Sequence, residues 1–278
     1  MMNSQMVCNL CGSVDKSKII SEVHSKPELE TDYGITPDNY FRKICQCQEC
    51  SAYFNSYPSN LLPEAFYSGF YNSSIDSGKL IERFNRITSL SFEQSDNKQR
   101  VKRITDFLEK SEEYHLNTME LLDVGTGTGV FLHEMKKYIK NIFCVDPDPH
   151  SVELVKELIS VNNSWVGSVE NIPRSYNFDL LSFNKVLEHV ESPTELLENS
   201  IKYLKENGVV YIELPYSDLI ISEGKEKVRA EFFIEHLVIY NHSSLNYLIE
   251  KTGLVSVYTD VIVEPSGKHT IFAFCKTQ

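Results

Sequence analysis

The chain has 278 residues, enough for one large domain and a small appendage with an ample core. Its formal charge of −12 disfavours a polyanionic partner such as DNA or RNA, which usually needs a basic face. No apolar run approaches the ~20 residues that cross a bilayer, and the N-terminus lacks the apolar core of a signal peptide, so a cytoplasmic protein without a membrane partner is expected.

Cysteines dominate the first zone. Cys8-Asn9-Leu10-Cys11 and Cys47-Gln48-Glu49-Cys50 are two C-x-x-C knuckles with 35 residues between them. Each knuckle can present two thiolates to one ion, so Cys8, Cys11, Cys47 and Cys50 predict a closed four-thiolate zinc site. Such a site fastens a fold and leaves no position for chemistry. Gly12 assists the tight turn after the first pair. Cys45 offers an alternative ligand, although only Cys47 gives the C-x-x-C spacing; buried or redox-active thiols are the competing reading. Residues 1–60 are therefore expected to form a small zinc-binding β module, with strands at 40–44 and 52–55.

Residues 61–115 read as a linker and helical lid. Pro58, Pro63 and the polar string 71–78 mark the connection, and helical patterns cover 79–93 and 98–110. The third zone, 116–278, alternates strands with helices as a parallel α/β sheet requires. Strands are predicted at 120–124, 141–146, 178–183 and 209–214, with helices at 193–205 and 243–251. A turn at Glu206-Asn207-Gly208 precedes the strand at 209–214. A hairpin of 254–263 and 269–274 closes the chain around Glu264-Pro265-Ser266-Gly267. Cys144 and Cys275 fall inside strands as small core residues.

The densest signal is Leu121-Leu122-Asp123-Val124-Gly125-Thr126-Gly127-Thr128-Gly129. A strand ends in an acid, enters a three-glycine turn and leaves as a helix near Val130, which makes a nucleotide-type cradle. G-x-G-x-G differs from the dinucleotide spacing G-x-G-x-x-G, because Val130 stands where the last glycine would be. No Gly-Lys-Ser/Thr follows, which excludes a P-loop. Asp146 ends the next strand, where a carboxylate can accept both hydroxyls of a ribose.

This run closely resembles motif I of the class I S-adenosylmethionine (SAM) methyltransferases. The likeness continues through Asp146-Pro147, the segment Gly167-Ser168-Val169-Glu170-Asn171-Ile172-Pro173, and Asn184-Lys185-Val186-Leu187-Glu188-His189-Val190. It implies a Rossmann-like α/β sheet with helices on both faces, and SAM as cofactor. The SAM contacts it implies are Asp123, Gly125, Thr126, Gly127, Gly129, Asp146, Pro147, Val169, Glu170 and Asn184. Tyr71, with Tyr67 as second choice, lies in a stretch resembling the family's lid; packing between module and core is the alternative for these aromatics.

Methyl transfer from a sulfonium is an in-line displacement, so the protein aligns the partners and removes a proton where the acceptor is a hydroxyl. Two Glu-His pairs are placed to do so, Glu188-His189 and Glu235-His236, since histidine titrates near neutrality. His236 with Glu235 is the first choice as base, and His189 the second; packing or loop capping is the structural alternative for both. Zinc module, SAM core and the segment 232–244 together resemble the zinc-containing methyltransferases of nucleotide-linked sugars, including deoxysugar C-methyltransferases. That subfamily carries a tyrosine where this chain has Phe233, and a further C-terminal domain of well over a hundred residues.

The expected reaction is methyl transfer to a hydroxyl of a small polar acceptor, a nucleotide-linked sugar or surface-glycan precursor. Lys185 could then hold a phosphate, or be an ordinary solvated lysine. The alternatives are sugar C-methylation, a tRNA, protein or quinone-like phenol acceptor, and a SAM- and zinc-binding scaffold without turnover. Oligomeric state is not encoded in any motif.

Overall fold

The computed structural model describes residues 6–58, 61 and 77–278. Three strands come first: β1 (Ser17–Val23), β2 (Arg42–Cys47) and β3 (Tyr53–Ser56), joined as an antiparallel sheet in the order β1-β2-β3. The predicted pair of strands flanking the second knuckle is present, shifted by one to three residues. The first strand was not foreseen, because Ser-Lys-Ile-Ile-Ser-Glu-Val alternates poorly and Ile19 remains exposed.

Helices α1 (Ser77–Thr88) and α2 (Asp96–Glu109) follow. Ser95 caps the second by accepting from the Lys98 N–H, and Val101, Ile104 and Leu108 line its buried face. That face packs with Leu121, Phe131 and Phe272, so α2 belongs to the layer covering the main sheet.

The remaining chain runs β4 (Glu120–Val124), α3 (Val130–Met135), β5 (Asn141–Asp146), α4 (Pro149–Ile159), β6 (Asn163–Val166), β7 (Phe178–Asn184), α5 (Pro193–Ile201), β8 (Leu204–Pro215), α6 (Asp218–Ser222), α7 (His242–Lys251), β9 (Leu254–Val263) and β10 (His269–Thr277). The seven strands order as β6-β5-β4-β7-β8-β10-β9. Strands β4 to β8 are parallel, and β10 enters antiparallel between β8 and β9.

Near-continuous apolar strands are what a sheet covered on both faces demands. Leu121, Ile142, Leu180 and Val209 belong to one buried cluster, and Leu122, Phe143, Leu181 and Val210 to the other. Alternation along each strand thus divides neighbouring residues between two cores. The helix after β7 stops at Ile201, short of the expected 205, and β8 begins already at Leu204. Asn207, with φ of 55°, and a register shift against β7 let the strand pass through the Glu206-Asn207-Gly208 turn signal as an irregularity.

The small sheet is fused to the large one. Cys8, Leu10, Cys47, Cys50 and Phe54 share a hydrophobic cluster with Tyr240, Leu245 and Leu248 from the far end of the chain. Tyr53 and Ile239 exchange backbone hydrogen bonds in both directions, at 2.9 and 2.7 Å.

Candidate active site

The glycine elbow after β4 is built as its composition requires. Gly125, Gly127 and Gly129 all have positive φ, at 74°, 51° and 76°. A Cβ on Gly129 would meet Ile159 Cδ1 at 2.5 Å and Val155 Cγ2 at 2.7 Å, so this glycine packs the elbow onto α4. A Cβ on Gly127 would meet nothing within 4 Å, which makes it the open face of the turn.

Two carboxylates frame that face. Asp146 closes β5 and is buried, accepting from the Gly127 N–H at 2.8 Å and the Asp148 N–H at 2.9 Å. Asp123 is buried beneath the turn, accepting from Ser182 Oγ at 2.7 Å and Asn184 Nδ2 at 2.9 Å. Burial pushes the Asp123 carboxyl up to about 6 and raises that of Asp146 as well. Asn184 Oδ1, at the end of β7, is buried with no partner among the described residues. An open backbone turn, two carboxylates and an unsatisfied amide oxygen fit a ligand bearing ammonium and hydroxyl donors.

The other expected SAM contacts differ in setting. Pro147 is exposed directly after β5, and Val169, fully buried, opens a 3-10 turn after β6. Glu170 is exposed, and its carboxylate accepts from Ser168 and Asn199. Tyr67 and Tyr71 lie outside the described residues.

Beyond β7 the two Glu-His pairs meet. The Glu188 carbonyl accepts from the N–H groups of Leu237 at 2.7 Å and Val238 at 3.2 Å, holding one segment on the other. The rings of His189 and His236 stand 4.7 Å apart at 56°. His189 Nδ1 lies 3.1 Å from the Glu235 carbonyl and His236 Nδ1 2.8 Å from that of Glu231. A carbonyl only accepts, so each neutral ring carries its proton on Nδ1 and its lone pair on Nε2.

Burial holds both rings neutral: His189 is lowered to about 4, and His236 falls well below the ordinary range, helped by His189 beside it. Burial also raises Glu188 and Glu235 to about 7 each, and one carboxylate oxygen of each is buried without a partner among the described residues. The ligand atoms of Glu188, His189 and His236 lie within 4.8 Å of one another, with His189 Nε2 3.9 Å from the carboxylate.

Lys185 is neither a free phosphate ligand nor a solvated lysine. Its Nζ donates to Thr270 Oγ1 at 2.7 Å and lies 3.9 Å from Glu213. Glu213 is fully buried, taking Arg100 at 2.5 Å and Arg103 at 2.8 Å, and these cations hold its carboxyl far below the usual range. Tyr240, Asn241 and His242 separate as well. The Tyr240 hydroxyl is buried against the Leu187 carbonyl, Asn241 caps α7, and His242 is its first residue.

The four knuckle thiols converge. Their Sγ atoms lie within 4.8 Å of one another, with Cys8–Cys50 at 3.6 Å and Cys11–Cys47 at 3.5 Å. Zinc–sulfur bonds of about 2.3 Å put tetrahedral sulfurs roughly 3.8 Å apart, so the donor set fits a zinc ion. Cys45 stands outside the group, 3.8 Å from Met6 Sδ.

A methyltransferase-domain family model matches residues 94–259, from α2 through most of β9. The chain belongs to that family. It is a class I SAM-dependent methyltransferase, with the Rossmann-like sheet the elbow implied. The mitochondrial ubiquinone biosynthesis O-methyltransferase of Schizosaccharomyces pombe is 31% identical over 96 residues, covering 32% of this chain and 35% of that protein. The ubiquinone biosynthesis O-methyltransferase of Pelagibacter ubique is 27% identical over 143 residues, 50% of this chain and 59% of that protein. Neither match reaches two thirds of the relative's length. Both names concern ubiquinone biosynthesis, where nucleotide-linked sugars were expected.

Among solved structures, magnesium protoporphyrin IX methyltransferase from Synechocystis PCC 6803 with bound SAH aligns at a TM-score of 0.57 and 12% identity, over 78% of this chain and all of the other. The plantazolicin methyltransferase with SAH aligns at 0.55 and 15%, over 77% and 95%. These likenesses concern the fold. Among the described residues no helix is long and apolar enough to cross a membrane.

Four contributors to the site's architecture carry no recognisable sequence signal. Ser182 donates to Asp123 across the sheet, and Glu30, Arg42 and Asn55 reach the His236 segment from the N-terminal sheet. Each is an ordinary polar residue whose partner is distant in sequence.

Proposed function

We propose that this methyltransferase O-methylates a phenol-type hydroxyl of a small acceptor, with the His189–His236 pair receiving the proton. The observation that carries the reading is the juxtaposition of two neutral imidazoles, each anchored through Nδ1 on a backbone carbonyl, beyond the strand that carries Asn184. SAM supplies an electrophilic methyl on a sulfonium. Asp123, Gly125, Thr126, Gly127, Gly129 and Asn184 would hold its methionine end, and Asp146 and Pro147 its ribose. Val169 and Glu170 would flank the adenine, and Tyr71 remains a proposed contact from the connecting segment. Glu235 is proposed to steady His236 through the loop, its carbonyl anchoring His189.

Base strength favours the phenol. Burial weakens both histidines as bases, so a phenol, whose pKa is about 10, is a less demanding proton donor for them than the much weaker acid of an aliphatic sugar hydroxyl. The partial likeness to ubiquinone biosynthesis O-methyltransferases supports the same choice. A nucleotide-linked sugar is the second reading, favoured by the knuckle module seated against the Glu235-His236 segment. Zinc in the four-thiolate site would act as a fastener of that module.

Radiolabelled methyl transfer from SAM to catechol and to nucleoside-diphosphate deoxysugars separates the two. Label on a phenolic oxygen is expected. Label confined to sugar moves the assignment to the second reading, and failure with both acceptors despite SAH binding overturns the phenol reading.

A further inference from the structure

The segment 230–241 that presents His236 has little regular structure of its own, a single 3-10 turn at 230–232. Something outside it must set its shape. The main chain turns so that three carbonyls converge on one side chain: Asn55 Nδ2 donates to Phe232 at 3.3 Å, Phe233 at 3.0 Å and His236 at 3.0 Å. The His236 N–H closes the same turn on the Phe233 carbonyl at 3.0 Å.

Asn55 is itself held. Its Oδ1 accepts from Arg42 Nη1 at 2.6 Å, and that nitrogen also donates to the Phe232 carbonyl at 2.8 Å. Arg42 Nε donates to the Tyr40 hydroxyl at 3.0 Å, which donates to Glu30; the other Glu30 oxygen accepts from the Ile234 N–H at 2.8 Å. Arg42 is fully buried, and Glu30 and Asn55 nearly so. Arg42 Nη2 makes no hydrogen bond among the described residues and lies 3.7 Å from Glu30 as an ion pair; the buried hydrogen bonds around it specify one arrangement of the backbone they grip.

We propose that Asn55 is a positioning residue for His236, making the N-terminal sheet part of the active-site framework. The inference rests on His236 acting in the site as described above. Docking of the sheet does not depend on Asn55. Tyr53 pairs with Ile239, Asn241 Nδ2 donates to the Ser51 carbonyl at 3.0 Å, and Phe232, Ile234 and Ile239 pack with Tyr40, Ile44 and Tyr53. Removing the Asn55 amide therefore takes away the side-chain bond to the His236 carbonyl while leaving the sheet attached.

The test uses the full chain with its metal complement and reads the His236 ring directly, as a proton–carbon NMR correlation assigned with His236→Gln. Asn55→Ala deletes every contact of the amide. Asn55→Asp keeps the oxygen for Arg42 and loses both donors. Both variants are expected to shift the His236 ring signal while leaving that of His115 in place, and SAH affinity within twofold. On catechol, kcat should fall about 10- to 100-fold with KM for SAM unchanged, the scale of a misplaced reacting group. An unmoved His236 signal overturns the proposal, as does loss of folding in both variants. If wild type leaves catechol unmethylated, only the functional reading fails, because the ring signal still reports position.

Discussion

His189, 47 positions before His236, anchors the segment that carries it: His189 Nδ1 donates to the carbonyl of Glu235, the residue before His236. On the proposed reading the two imidazoles act as one unit. His236→Ala and His189→Ala should each lower phenol methylation roughly 100-fold, and the double variant little further. Steady-state kinetics with SAH calorimetry checks this. Additive losses would show independent roles.

The glycine elbow separates stability from binding. Gly129→Ala forces a Cβ onto Ile159 and Val155 at positive φ, and should cost about 2–4 kcal/mol of unfolding free energy. Gly127→Ala meets open space and should cost less stability, while weakening SAH binding because its Cβ enters the cradle. Denaturant melts and calorimetry on both variants distinguish the two; equal melting shifts would refute the division.

Asp146 holds the elbow through Gly127 and the start of the next helix through Asp148. Asp146→Ala should weaken SAH binding by roughly tenfold, about 1.4 kcal/mol, the scale of a lost charge-assisted hydrogen bond. An unchanged calorimetric Kd would remove Asp146 from the nucleoside site.

Glu188 gives a pH signature. Burial raises its carboxyl from an ordinary 4.5 to about 7, so the fold favours the protonated form. That contribution is complete below 4.5 and is lost as pH rises through about 7. Glu188→Gln cannot ionise. Its melting temperature relative to wild type should therefore rise between pH 5 and pH 8, and a flat or falling difference would contradict the assignment.

The four-thiolate site predicts one zinc per chain, absent from a Cys8→Ser/Cys50→Ser variant. Its loss should lower the thermal midpoint and, through the hairpin of β2 and β3 that carries Arg42 and Asn55, disturb the His236 segment. Elemental analysis with melting curves tests the first statement. Full metal occupancy in the double variant would locate the ion elsewhere.

The sequence alone determined the elbow, the acid that ends β5, most strands of the large sheet and the paired knuckles. Each is local: φ > 0 demands glycine, apolar runs demand burial on two faces, and a C-x-x-C turn brings two thiols together whatever surrounds it. Only the tertiary structure decided that the two Glu-His segments meet, that Lys185 is held internally by Thr270 and Glu213, and that Asn55 reaches His236 across 180 intervening residues. Those contacts pair common polar side chains over long chain separations. Their energy comes from burial, and burial is a property of the folded whole.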